Sequence, residues 1–204
     1  RTDTIGGLLN LAAGAGPAGG DVVISSGAST VSKGGNVHVE AGASELSVGG
    51  SVDITAGDSR SATAVAGGVR VQGGSSLVGT GAGGAVTIEG GRSTQGSGGS
   101  LELKSGSSSE STSGSVSIGT PTSGTSSGAV VLSTGSSAHG SSGDISIEVG
   151  SASSGMGGSV SIAAGHGAHG GSIDVSAGAG ATKGGNLAAL GQSHAQFGTT
   201  SGSE

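Results

Sequence analysis

Gly49-Gly50-Ser51-Val52-Asp53-Ile54-Thr55-Ala56-Gly57 is the stretch on which the fold turns. Two branched aliphatics, Val52 and Ile54, sit two positions apart, a small residue follows two positions on, and glycines close both ends. Alternation with period two places Val52, Ile54 and Ala56 on one side of an extended backbone, which a helix of 3.6 residues per turn cannot do. Branched side chains also suit a pleated, half-covered surface. The same arrangement recurs in Gly34–Gly42, Gly157–Gly165 and Gly170–Gly178.

Followed along the chain, the first aliphatic falls at Leu9, Val22, Val37, Val52, Val69, Val86, Leu101, Val116, Val130, Ile145, Val160, Ile173 and Leu187, which makes thirteen units with a mean spacing of about 15. The second aliphatic is Leu, Ile or Val in every unit but the last, where Ala189 stands. The small position is Ala13, Ser26, Ala41, Ala56, Gly73, Gly90, Ser105, Ala164 and Ala177 in nine of the units, and the residue after it is glycine in eleven of thirteen, Pro121 and Gln192 being the exceptions. A fixed bend, with positive φ or close backbone approach, accounts for that glycine. The connections between units are near eight residues and chemically alike, so like geometry at every junction is expected. Antiparallel hairpins favour shorter loops.

These features predict an all-β fold, a parallel β-solenoid of about thirteen coils with a period of about 15 residues over 1–191. The second half of each coil is poor in apolar residues, so the expected solenoid is flattened and has no aromatic core. Residues 192–204 are expected to form a C-terminal cap or linking tail. Leu187–Phe197 loses the alternation and holds the only phenylalanine, and Gly198–Glu204 reads as disordered or linking.

Composition narrows the function. Of 204 residues 49 are glycine, with no cysteine, tryptophan or tyrosine. A net charge of −6 with seven scattered basic residues, Arg1, Lys33, Arg60, Arg70, Arg92, Lys104 and Lys183, excludes a phosphate-neutralising patch and hence nucleic acid. No apolar run approaches the ~20 residues of a membrane helix. The aromatic girdles of a transmembrane barrel are missing too. The chain opens at Arg1 with no signal peptide, as expected of a mature product or a fragment.

Candidate sites are few. An ice-binding face needs ranks of threonine between the aliphatics, but that column reads His38, Asp53, Arg70, Thr87, Glu102. Calcium-binding nonapeptides need a third glycine and a recurring aspartate, which Gly49–Ile54 lacks. Asp53 and Arg70 share one column of neighbouring units, with Glu40 and Gln72 beside them. Opposite charges so placed are expected to form a ladder pair and not a carbohydrate-cleaving centre, which would sit in a cleft built by long loops. The histidines are His38, His139, His166, His169 and His194. His166-Gly-Ala-His169 brings two imidazoles close in sequence, but a closed metal site wants further ligands, so all five are read as exposed loop or strand residues. No catalytic, cofactor or metal residue is assigned.

Units such as Gly143-Asp144-Ile145-Ser146-Ile147-Glu148-Val149-Gly150 and Gly158-Ser159-Val160-Ser161-Ile162 resemble the Gly/Ser-rich surface repeats of secreted proteins of diatoms and related algae. The resemblance implies an extracellular structural role and carries no catalytic residue with it. The expected function is therefore a non-enzymatic structural protein, extracellular or at the cell surface, whose coils stack head to tail into a filament, sheath or appendage. The alternatives are an adhesive module that holds polysaccharide or a cell-wall surface and, less favoured, a carbohydrate-active β-helix enzyme.

Overall fold

The computed structural model describes residues 6–191, 195, 196 and 198. It overturns the solenoid. Among the described residues there is no helix and no strand, and no sheet ladder joins one repeat to the next. None of them is buried, and only Ala41, Ala56 and Gly73 are half-buried. The chain exposes 20243 Å², against about 8,100 Å² for a compact chain of 18.3 kDa and about 26,500 Å² for an extended one. The shared narrow interior expected of stacked coils is not formed, and Val52 and Ile54 remain 51% and 76% exposed.

The local half of the expectation stands apart from the global half. Alternate residues do share a side: His38 bonds Glu40 at 3.1 Å, Ser146 bonds Glu148 at 3.3 Å, and the Arg70 guanidinium donates to Gln72 at 3.0 Å. Lys104 pairs with Glu102 in the same way. Each pair spans two residues, as side chains do along an extended backbone. Period two thus describes the run of one segment. It carries no instruction about which segment lies beside it, and pairing between segments is what defines a sheet.

Backbone hydrogen bonds of the described residues instead close the connection between one repeat and the next in sequence. Nine recur in one pattern, at 2.8–3.0 Å: the N–H of the glycine two places before a first aliphatic donates to the C=O of the glycine that ended the previous segment. The chain divides into two units, Arg1–Lys104 and Ser105–Glu204. The first contains the closures of Gly20 on Gly14, Gly35 on Gly27, Gly50 on Gly42, Gly67 on Gly57, Gly84 on Gly74 and Gly99 on Gly91. The second contains those of Gly114 on Gly106, Gly171 on Gly165 and Gly185 on Gly178. Each turns a Gly/Ser-rich connection into a ring closed by a single bond. The proposed cap and tail at 192–204 lie mostly outside the described residues, Phe197 and His194 included.

Candidate functional site

The repeated closed loop is the feature with a defined geometry, and small side chains create it. A Cβ on Gly35 would stand 3.1 Å from the Cβ of Ser26 and 3.3 Å from the Gly27 nitrogen. On Gly50 it would stand 3.3 Å from the Cβ of Ala41, and on Gly67 3.1 Å from the Gly57 nitrogen. The donating glycine is therefore pressed against both the accepting glycine and the small residue before it. Glycine occupies that donating place in all thirteen units, whereas the accepting place tolerates Pro121 and Gln192. Of the two reasons expected for the accepting glycine, positive φ is not met there, whereas its backbone does approach the donating glycine closely. Among the described residues positive φ occurs at Gly79, Gly140 and Gly155 alone, inside loops, and a Cβ on Gly27, Gly42 or Gly57 would meet nothing within 4 Å.

Three units lack the closure, and they share one property. Their small position holds a β-branched residue: Thr120 before Pro121, Thr134 before Gly135 and Val149 before Gly150. In each of them a γ-methyl faces the donating glycine, with a Cβ on Gly128 3.6 Å from Thr120 Cγ2 and one on Gly143 3.9 Å from Thr134 Cγ2. The nine closed units carry Ala, Ser or Gly there. Where that residue is serine, its hydroxyl adds a second bond across the neck, Ser26 to the Gly35 C=O at 3.0 Å and Ser105 to the Gly114 C=O at 2.9 Å.

The residue two places after the accepting glycine shapes the turn within several of the loops. In four closed or closable eight-residue loops it is a serine whose Oγ accepts the N–H three residues on, as Ser29 from Ser32 at 2.9 Å, Ser44 from Ser47 at 3.0 Å, Ser93 from Gly96 at 2.8 Å and Ser108 from Ser111 at 3.0 Å. Such local bonds are the reason serine favours turns. In the three shorter loops that are closed the place is taken by Gly16, Gly167 or Gly180. A Cβ there would lie 3.3 Å from the Ala18 carbonyl oxygen in the first and 3.2 Å from that of His169 in the second, so the backbone folds into the space a side chain would need.

Those residues singled out by the sequence that the structure describes are exposed and are not gathered into a centre. Asp53 and Arg70 form no ladder pair, since Arg70 bonds Gln72 within its own segment. Among the described residues no group of three His, Asp or Glu is placed to hold a metal ion. His166 and His169 lie in the loop closed by Gly171 on Gly165 at 3.0 Å. The second unit also has an open groove of about 870 Å³, lined among the described residues by Ile147, Val160, Ile162, Ala188–Gly191, Ala195 and Gln196, a mostly apolar set.

The donating glycine is the residue that sequence reasoning undervalued. Its signal was its presence in every unit, stronger than that of the accepting glycine on which the expected bend was placed. Compared with known proteins, the chain matches no family model, no curated protein sequence and no solved structure. Among the described residues no helix is long and apolar enough to cross a membrane.

Proposed function

We propose that the chain is a structural protein of an extracellular matrix or cell surface, and that copies of it associate along their aliphatic segments into a filament or sheath. The observation that carries this is the exposure of the repeated aliphatics, from Val22 at 55% to Ile173 at 51%. A side chain of this kind gains ~2 kcal/mol when fully covered, and at half exposure on the order of 1 kcal/mol is left ungained. Repeated along the chain, that incomplete burial favours a partner with a matching pattern, and a second copy is the partner that matches in every unit. Area is ample: the surface exceeds that of a compact chain by about 12,000 Å², whereas a stable pairwise interface needs about 1,200–2,000 Å². A net charge of −6 over 204 residues opposes association only weakly at physiological salt.

Sedimentation velocity over a hundredfold range of concentration, with electron microscopy of the same samples, tests the proposal. Growth of the sedimentation coefficient with concentration and visible polymers are expected. A monomer at every concentration would refute self-association, and retention of that monomer on a polysaccharide column would favour the adhesive role, to which the Ser-rich loops lend their hydroxyls.

A further inference from the structure

Two of the closed loops have the same construction. Gly14-Ala15-Gly16-Pro17-Ala18-Gly19-Gly20 and Gly165-His166-Gly167-Ala168-His169-Gly170-Gly171 each close six residues apart, at 2.9 and 3.0 Å. Both bend sharply over their third to fifth residues, 16–18 and 167–169. In both, the third residue is a glycine packed under the carbonyl of the fifth, with a Cβ there 3.3 Å from the Ala18 oxygen and 3.2 Å from the His169 oxygen. The backbone therefore takes this form with alanine at the second and fifth places, Ala15 and Ala18, and the histidines of the other loop are not needed to shape it. They occupy those same two places.

That placement has a chemical consequence. Three peptide units separate His166 from His169, a Cα span of at most about 11 Å, and the bend at 167–169 shortens it. The hydrogen bond from Gly171 to Gly165 keeps the ring from opening out. Two imidazoles on one short closed ring can reach a single ion at ~2.0 Å from each nitrogen. The other described histidines are placed differently. His38 is already bonded to Glu40 at 3.1 Å, and His139 is the only histidine of its loop.

We propose that the Gly165–Gly171 loop binds one divalent first-row transition-metal ion through His166 and His169, with Cu²⁺ held most strongly. Imidazole nitrogen suits Cu²⁺, Ni²⁺ and Zn²⁺, and Cu²⁺ stands highest in the general order of affinity. Copper's tetragonal preference is met by two nitrogens with water in the remaining positions, whereas a structural zinc site asks for four protein ligands. The ring supplies preorganisation in place of ligand number, since less loop freedom is lost on binding.

The test is a titration of the full chain with Cu²⁺ alone, followed by electron paramagnetic resonance for nitrogen coupling and by broadening of the histidine ring signals in NMR. One copper per chain is expected, with His166 and His169 broadened first. Either His166→Gln or His169→Gln should weaken binding by about tenfold or more, while His38→Gln and His139→Gln leave it unchanged. The double variant Ala15→His/Ala18→His should add a second copper of like spectrum in the first loop. Copper bound with equal strength after His166→Gln or His169→Gln, or a transplanted loop that takes up none, would overturn the assignment.

Discussion

Replacing Thr134 by alanine should close a loop that the native chain leaves open. The connection from Gly135 to Gly143 matches the closed one from Gly42 to Gly50 in length, with a serine, Ser137 or Ser44, at the same place. Closing entropy depends weakly on length and is equal for equal loops. What differs is the residue before the accepting glycine: Ala41, half-buried in the neck, against Thr134, whose Cγ2 faces Gly143. Removing Oγ1 and Cγ2 should let the Gly143 N–H reach the Gly135 C=O, as Gly50 reaches Gly42 at 2.8 Å. A hydrogen bond of this kind contributes about 1 kcal/mol net, which is about fivefold in the population of the closed ring. Amide hydrogen exchange read by NMR provides the assay, with Gly50 as an internal standard. Exchange at Gly143 should slow by about fivefold in Thr134→Ala, and Ala41→Thr should speed Gly50 by a similar factor. An unchanged rate at Gly143 beside a protected Gly50 would show that the γ-methyl is not what holds the loop open.

Further outcomes follow from the same geometry. Gly67→Ala brings a Cβ to 3.1 and 3.2 Å from the Gly57 nitrogen and oxygen, tighter than ordinary contact with backbone that has to move, so the neck must widen and protection of residue 67 should fall. Ser26→Ala removes the hydroxyl bond to the Gly35 C=O but keeps the small side chain, and should leave the ring closed with protection at Gly35 reduced by a few-fold. Lys104→Ala should leave every amide rate within error, because its pair with Glu102 is surface-exposed and such pairs contribute ~0–1 kcal/mol. Val52→Asp combined with Val86→Asp puts charge into the aliphatic column and should raise the concentration at which polymers appear by tenfold or more, a shift readable by sedimentation. Unaltered assembly in that variant would place the contact elsewhere on the chain.

What could be read from the residues divides along a physical line. Alternation is a one-segment property: Val37 with Val39 or Val52 with Ile54 pointed to a strand, and what is found there is alternate side chains meeting on one side, as in the His38–Glu40 and Arg70–Gln72 bonds, with no strand formed. A sheet is a property of two segments, and nothing in Val52 or Ile54 specifies a neighbour one repeat away. The near-constant spacing suggested stacking, yet it is equally satisfied by a string of separate rings, each closed on itself. Burial separates the two arrangements, and with Ala41, Ala56 and Gly73 the only half-buried residues described, the rings prevail. No metal was assigned because His166 and His169 have no third ligand beside them in sequence, and no catalytic centre because no long loop builds a cleft. The pairing of His166 with His169 gained its significance only from the like construction of the Gly14–Gly20 loop, a comparison that needs coordinates.

The unequal spacing of the repeats has a cause in the same necks. Closures span six residues from Gly14 to Gly20, eight from Gly42 to Gly50 and ten from Gly57 to Gly67, while the bond at the neck stays at 2.8–2.9 Å. Loop entropy grows only with the logarithm of length, so two residues more or fewer shift the closing free energy by a few tenths of a kcal/mol. The neck has no such latitude: one methyl too many, as at Thr134, and the bond is absent. Insertions and deletions therefore accumulate between the glycines, and the aliphatic pair, the small residue and the donating glycine keep their order. A chain built this way holds its pattern of exposed aliphatics in phase with its rings while its loops vary, as the proposed association along those aliphatics requires.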